Sequence, residues 1–91
     1  MMLNLEITSK FKKDLKKIKK RGYDFNEFEK VINQLRNLEK LDENYKDHAL
    51  IGDYIGFREC HIQPDWLLIY AISKEKLILV LSRTGTHSDL F

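Results

Sequence analysis

The sequence predicts an α+β domain in which two N-terminal antiparallel helices pack on a mostly antiparallel four-stranded sheet, in the order strand, helix, helix, strand, strand, strand. Two observations predict this class. Apolar residues recur at helical spacing in the first half of the chain, and they form nearly continuous runs, typical of interior strands, in the last third. The 91 residues, 43% of them hydrophobic, suffice for one core, so we expect a single domain spanning residues 1–91.

One strand and one helix open the chain. Residues 3–7 alternate apolar and polar side chains, as a strand with one buried face does. From Thr8 the spacing becomes i, i+4 and i+7, which places three apolar side chains on one helix face: Phe11, Leu15 and Ile18. Gly22 stands where a left-handed cap would end this helix.

A second helix is predicted to begin near Phe25. Asp24 and Glu27 have the spacing of a capping box, which marks a helix start. A wide apolar stripe then predicts that this helix lies on the sheet: Phe28, Val31, Ile32, Leu35 and Leu38. Because the joint between the two helices is short, we expect them to run antiparallel.

The remainder is predicted to be a loop followed by three strands. Residues 40–53 lack a sustained period and are interpreted as the loop. The strands are predicted at residues 54–62, 66–72 and 77–81, where apolar runs suit interior positions. Pro64 and Asp65 suit the turn between the first two of these strands.

Composition excludes several classes of protein. The single cysteine, Cys60, cannot form an internal disulfide, and no Cys/His pattern has zinc spacing, so we expect neither a metal nor a cofactor. The N-terminus becomes charged at Glu6, too early for a signal peptide, and no apolar run approaches the roughly 20 residues of a membrane span. We therefore expect a soluble cytoplasmic protein with no membrane partner.

The basic residues are concentrated near the N-terminus. Residues 1–40 carry eleven Lys or Arg and six Asp or Glu, a balance of +5, whereas residues 41–91 carry five and eight, a balance of −3. Eight of the sixteen basic residues fall within residues 10–21, which suits contact with RNA phosphates. The candidates for these contacts are Lys10, Lys13, Lys16, Lys17 and Lys20. A merely solvated helix face is the alternative interpretation.

Three histidines in the second half are the candidates for catalysis: His48, His61 and His87. RNA cleavage without a metal requires a base for the 2′-hydroxyl, an acid for the leaving 5′-oxygen and a cation for the charge on the phosphorane. Imidazole can serve as acid or base near neutral pH, and Arg83 would supply the cation. A structural hydrogen-bonding role remains the alternative for any one histidine.

Other polar and aromatic residues have two interpretations. Trp66 and Phe91 are either core residues or surfaces on which unpaired RNA bases stack. Cys60 should point to the sheet face opposite His61 and serve as a small core residue. Asp47 and Glu59 are interpreted as solvated carboxylates.

Four segments resemble the motifs of YafQ-type toxins in the RelE superfamily, and the likeness extends in order over nearly the whole chain. The segments are YKDH at 45–48, FRECH at 57–61, PDWLLIY at 64–70 and RTGTHSDLF at 83–91. The resemblance implies a RelE-like fold and a ribosome-dependent endoribonuclease, or mRNA interferase, from a bacterial type II toxin-antitoxin system. Its implied partners are mRNA, the 30S A site with its ribosomal RNA, and a cognate antitoxin.

The resemblance also implies roles for single residues. Those in the acid-base set are His48, His61, Asp65 and His87, with His87 the preferred general acid. The base is either His48 or His61, and Asp65 would orient one of them. Arg83 would stabilise phosphate charge, and Trp66 and Phe91 would orient the RNA.

Two other functions remain open from the residues alone. A ParE-like toxin of the same fold would inhibit a protein target such as gyrase, and it would not need three imidazoles beside an arginine. A passive RNA-binding module would use residues 10–21 as its binding surface and leave the message intact.

Overall fold

A computed structural model describes residues 2–91, which form five strands and three helices. In chain order these are β1 (Asn4–Ile7), α1 (Ser9–Lys20), α2 (Phe25–Arg36), β2 (His48–Ala49), β3 (Arg58–Gln63), β4 (Trp66–Ser73), β5 (Ile78–Gly85) and α3 (His87–Leu90). Two 3₁₀ turns, Glu43–Tyr45 and Gly52–Tyr54, flank β2. No helix among residues 2–91 reaches the length and apolarity that a membrane crossing requires.

The predicted α+β class is confirmed, but the sheet differs from the prediction in size and pairing. It has five strands in the order β1-β5-β4-β3-β2, and β1 runs parallel to β5 while the other neighbours are antiparallel. The predicted loop at residues 40–53 contains β2, whose two residues are too few to show alternation. The C-terminal tail contains α3, a third helix that the prediction lacked.

Both predicted N-terminal helices are present and capped by side chains. The Thr8 hydroxyl oxygen accepts from the Phe11 amide at 3.0 Å and starts α1. Asp24 caps α2 by accepting from the Asn26 amide at 2.9 Å. The predicted capping box would use the amide of the next residue, Glu27. Phe11 of α1 stacks on Phe28 of α2 with ring centroids 6.1 Å apart, which joins the two helices.

The sheet has two faces with different coverings. One, the core face, packs against α1 and α2 and contributes Cys60, Ile62, Trp66, Leu68, Tyr70, Leu79 and Leu81 to the main core. The other, the α3 face, has a small apolar centre of Leu67 and Ile69 covered by Leu90 of α3. Since successive strand residues point to opposite faces, neighbours in sequence serve different faces.

Candidate active site

The strand register aligns three chemically suited positions and one apolar position across the α3 face. His48 of β2 pairs with Glu59 of β3, Glu59 with Ile69 of β4, and Ile69 with Arg83 of β5. Directly paired residues point to the same face, and neighbouring strands lie about 4.8 Å apart, so this row spans roughly 14 Å. Arg83 therefore lies within a strand, whereas the sequence predicted that the strand ends at residue 81.

Glu59 lies between two of the predicted histidines. Its Oε1 atom is 3.6 Å from Nε2 of His48 and 3.8 Å from Nε2 of His61. The Glu59 side chain is 8% exposed and the His48 side chain 51% exposed, so a buried carboxylate supports two imidazoles that reach solvent. The interpretation of Glu59 as a solvated carboxylate was wrong. The spacing i, i+2 from His61 within a strand is the signal that predicts this shared face.

His48 is oriented by a second contact. Its Nδ1 atom is 2.8 Å from the backbone oxygen of Lys46, which lies in the left-handed region with φ of 52°. Because a carbonyl oxygen can only accept, Nδ1 is the donor in this bond. The Nε2 atom is thereby directed towards Glu59, and the turn before β2 sets the angle of the ring.

Arg83 is held by an acidic residue that the sequence reasoning did not single out. Nε and Nη2 of Arg83 donate to the two carboxylate oxygens of Asp14 at 2.6 and 3.1 Å, and Nη1 lies outside this pair. Asp14 Oδ2 also accepts from the backbone amide of Thr84 at 3.1 Å, beyond the point where β1 pairs with β5. The bonds to the Asp14 carboxylate raise the pKa of Arg83 and fix its guanidinium where β5 extends beyond β1.

The predicted lysines all lie on α1 and are exposed. Three of them, Lys10, Lys13 and Lys17, line a cavity of about 270 Å³ together with Asp14 and Arg83. Lys16 and Lys20 lie on the same helix outside this cavity. A concentrated positive surface therefore runs directly up to Arg83.

The helix α3 places His87 and Phe91 at the α3 face. Thr86 and Asp89 form a capping box, and Leu90 packs in the apolar centre of that face. The ring centroid of Phe91 lies 5.1 Å from that of His87 and 6.0 Å from that of Tyr54. Phe91 is 57% exposed, so its ring can meet a ligand, whereas Leu90 anchors the tail.

Two predicted site residues lie apart from this arrangement. Asp65 is exposed in the turn between β3 and β4, and no hydrogen bond joins it to a histidine within residues 2–91. Trp66 is 0% exposed on the core face, where its ring stacks on Phe28 and its Nε1 donates to the hydroxyl of Thr84 at 2.7 Å. This burial corrects the expected RNA-stacking role of Trp66.

Two further expectations about individual residues have different outcomes. Cys60 is fully buried in the core, as predicted, and burial raises the pKa of its thiol. Asp47 is not a solvated carboxylate, because it accepts from the Tyr70 hydroxyl at 2.5 Å and from Nη2 of Arg58 at 3.2 Å. It ties the segment before β2 to the body of the sheet.

The three predicted histidines and Arg83 lie on one face of the sheet but form two groups, whereas Asp65 lies in the turn between β3 and β4. His48, Glu59 and His61 form the first, and His61 lines a cavity of about 320 Å³ at the edge of the sheet. Arg83 and α3 lie across the apolar centre from this group, and Arg83 lines a separate cavity with Asp14 and the lysines of α1. No group of three His, Cys, Asp or Glu side chains within the described residues is arranged to hold a metal ion.

Known proteins resemble this chain over its full length. Residues 3–91 match the family model described as the bacterial toxin of a type II toxin-antitoxin system, YafQ. The mRNA interferase toxin YafQ of Escherichia coli K12 is 38% identical over 89 residues, which cover 97% of this chain and 95% of that protein.

Solved structures agree with this match. A metal-bound toxin from Helicobacter pylori is 47% identical with a TM-score of 0.92, and the alignment covers 99% of this chain and 100% of that chain. The toxin in the E. coli DinJ-YafQ toxin-antitoxin complex is 37% identical with a TM-score of 0.88. The alignment covers 100% of this chain and 99% of that chain. The predicted family resemblance is confirmed, and the chain belongs to the YafQ family of bacterial toxins from type II toxin-antitoxin systems.

Proposed function

We propose that this protein is an mRNA interferase, an endoribonuclease that cuts messenger RNA on the ribosome by acid-base catalysis and so inhibits translation. The observation that carries the proposal is the common sheet face on which two imidazoles share Glu59 while Arg83 and His87 lie across the apolar centre. Similarity to the E. coli mRNA interferase toxin supports the substrate class.

The proposed reaction moves two protons. One imidazole of the His48 and His61 pair takes the proton of the 2′-hydroxyl, and the 2′-oxygen attacks the adjacent phosphorus. The bond from phosphorus to the 5′-oxygen breaks, and His87 gives its proton to that leaving oxygen. The products are a 2′,3′-cyclic phosphate and a free 5′-hydroxyl. The base imidazole ends with one proton more and His87 with one proton fewer.

Glu59 and Arg83 assist this reaction through charge. The buried Glu59 carboxylate stabilises an imidazole that has just gained a proton, since a charge partner in a low-dielectric site interacts strongly. Arg83, oriented by Asp14, presents Nη1 for the phosphate oxygens on which negative charge develops. Asp65 makes no such contact within residues 2–91, so any orienting role for it requires that the turn move when RNA binds.

The binding surfaces follow from the same arrangement. We propose that Lys10, Lys13, Lys16, Lys17 and Lys20 contact ribosomal RNA at the 30S A site. Phe91 supplies an exposed ring for stacking on a base. The chain acts as one domain over residues 1–91 in the cytoplasm and is neutralised by a cognate antitoxin, as the solved DinJ-YafQ complex suggests for its relative.

The test is cleavage of a defined message on purified programmed ribosomes, with the 5′ ends mapped by primer extension. The wild-type chain should produce discrete new 5′ ends. His87→Ala should lower the cleavage rate roughly 10²- to 10⁴-fold, because a positioned general acid contributes about that much. Ser88→Ala, an exposed neighbour on the same helix, is the matched control and should retain the wild-type rate.

The outcomes separate the three candidate functions. An intact message in the presence of bound wild-type protein would identify a passive RNA-binding module. Toxicity that persists in His87→Ala cells without any cleavage would identify an inhibitor of a protein target.

A further inference from the structure

An ion pair joins the end of α1 to the C-terminal helix. Nη1 of Arg21 donates to Oδ2 of Asp89 at 2.6 Å, and Nη2 donates to Oδ1 at 3.1 Å. The two residues are 68 positions apart in sequence. Both terminal nitrogens of the guanidinium are therefore engaged with one carboxylate in a bidentate geometry that lysine cannot reproduce.

Asp89 also organises its own helix. Its Oδ2 accepts from the backbone amide of Thr86 at 2.9 Å, while its own amide donates to the Thr86 hydroxyl at 3.2 Å. Gly85 allows this close approach, because a Cβ at that position would lie 2.9 Å from Asp89 Oδ2 and the backbone has φ of 155°. One carboxylate thus links Arg21 to the first turn of α3.

The helix α3 depends on such links for its position. It has four residues, and helices shorter than about 12 residues are marginal in water without tertiary contacts. Its described attachments are Leu90 in the apolar centre, Asp89 on Arg21 and the ring of the adjoining Phe91 on Tyr54. His87 lies in the first turn of this helix, two residues before Asp89, so the direction of its imidazole is set by how firmly that turn is held.

We propose that Arg21 is a positioning residue for cleavage: by binding Asp89 it fixes α3 and holds the His87 imidazole in the orientation that protonates the leaving oxygen. The inference rests on the proposed function of His87. Arg21 acts through Asp89, whose carboxylate accepts from both of its terminal nitrogens and offsets its charge. It differs in this respect from the lysines of the same basic run.

The first readout is independent of activity. Amide hydrogen exchange of Asp89, Leu90 and Phe91 reports the α3 backbone bonds to Thr86 and His87. In Arg21→Ala these amides should exchange at least several-fold faster, while amides of β4 and β5 keep their wild-type rates. Lys12→Ala, which removes an equal charge from an exposed site on α1, should leave all of them unchanged.

The second readout separates positioning from binding in ribosome-dependent cleavage. Arg21→Ala should lower kcat by on the order of 10²-fold, the typical cost of a displaced catalytic group, while its KM rises no more than that of Lys12→Ala. Arg21→Lys should recover only part of kcat because a point charge cannot bind both oxygens. Added guanidinium at millimolar concentration should partly restore kcat of Arg21→Ala and should not affect Lys12→Ala.

The results distinguish a failure of this inference from a failure of the proposed function. If His87→Ala is inactive but Arg21→Ala keeps wild-type kcat and protected amides, Arg21 does not position His87. If His87→Ala is fully active, the function of His87 is wrong, and faster exchange in Arg21→Ala would then show only that the ion pair anchors α3. A change confined to KM would assign Arg21 to RNA binding and overturn the positioning role.

Discussion

The two faces of the sheet use the same strands for different purposes. On the core face, Trp66 and Tyr70 are packed beneath α1 and α2 with almost no exposure. On the α3 face, a small apolar centre is bordered by imidazoles, a buried carboxylate and a guanidinium. Neighbouring residues of one strand are therefore separated into structural and chemical roles by the alternation of the strand. Single substitutions should affect stability or cleavage according to the face they occupy.

The sharpest contrast is between His61 and Ile62 of β3. His61→Ala should lower the cleavage rate roughly 10²- to 10⁴-fold because it removes a group from the proposed acid-base set. Ile62→Ala removes core methylene groups and should lower the free energy of unfolding by about 2–5 kcal/mol, with the cleavage rate per folded molecule preserved. Single-turnover cleavage and urea unfolding of both variants measure the two effects. Equal losses of stability in the two variants would contradict the division between faces.

Trp66 provides a second test of the division. Trp66→Ala should lower the free energy of unfolding by about 3–5 kcal/mol. Trp66→Phe keeps a ring against Phe28 and loses the bond to Thr84, so it should cost only about 1 kcal/mol. Cleavage by folded Trp66→Phe should match the wild type, measured at a temperature where both are fully folded. A large loss of RNA affinity in this variant would indicate that RNA bases stack on Trp66 after all.

Local sequence patterns predicted the elements of the fold better than their arrangement. The helical spacing of apolar residues after Thr8 correctly indicated α1, and the apolar runs indicated β4 and β5. The parallel pairing of β1 with β5 was missed because alternation in residues 3–7 defines a strand and not its partner. The helix α3 was missed although Thr86 and Asp89 have the spacing of a capping box.

For the candidate site, the sequence predicted the types of residue but not their contacts. Histidine and arginine identities indicated the chemistry, but contacts between distant residues leave no local pattern. The pairs Asp14 with Arg83 and Arg21 with Asp89 bridge 69 and 68 positions, so only the fold reveals them. Glu59 was within reach of sequence reasoning, since it precedes His61 by two residues in a strand.

The basic surface beside Arg83 should make ribosome binding sensitive to salt. Lys10, Lys13 and Lys17 line the cavity that leads to this residue. Replacing all three with alanine should reduce the slope of log affinity against log salt by roughly 2, because each phosphate contact to single-stranded RNA contributes about 0.7. A triple alanine variant of Lys30, Lys74 and Lys76, with the same net charge, should keep the wild-type slope. A flat salt response of the wild-type chain would contradict the interface.

The smallest expected effect is the acid sensitivity of the α3 anchor. Arg21 holds the pKa of Asp89 well below its usual range, so the charged carboxylate stabilises the folded state. This contribution is complete above the unfolded value of about 3.9 and is lost as pH falls through the lower folded value. Asp89→Asn should therefore be less stable than the wild type by a constant amount above about pH 5, and the gap should narrow below pH 4. Urea unfolding across this range measures it, and a gap that widens in acid would have the wrong sign.

The most direct test of the α3 face as a catalytic surface is the pH dependence of single-turnover cleavage on programmed ribosomes. A bell-shaped rate profile is expected, because one imidazole must be neutral to act as base while another is protonated to act as acid. His87→Ala should lose the decline on the alkaline side together with most of the rate. A wild-type rate that stays constant from pH 5 to pH 9 would contradict catalysis by paired histidines.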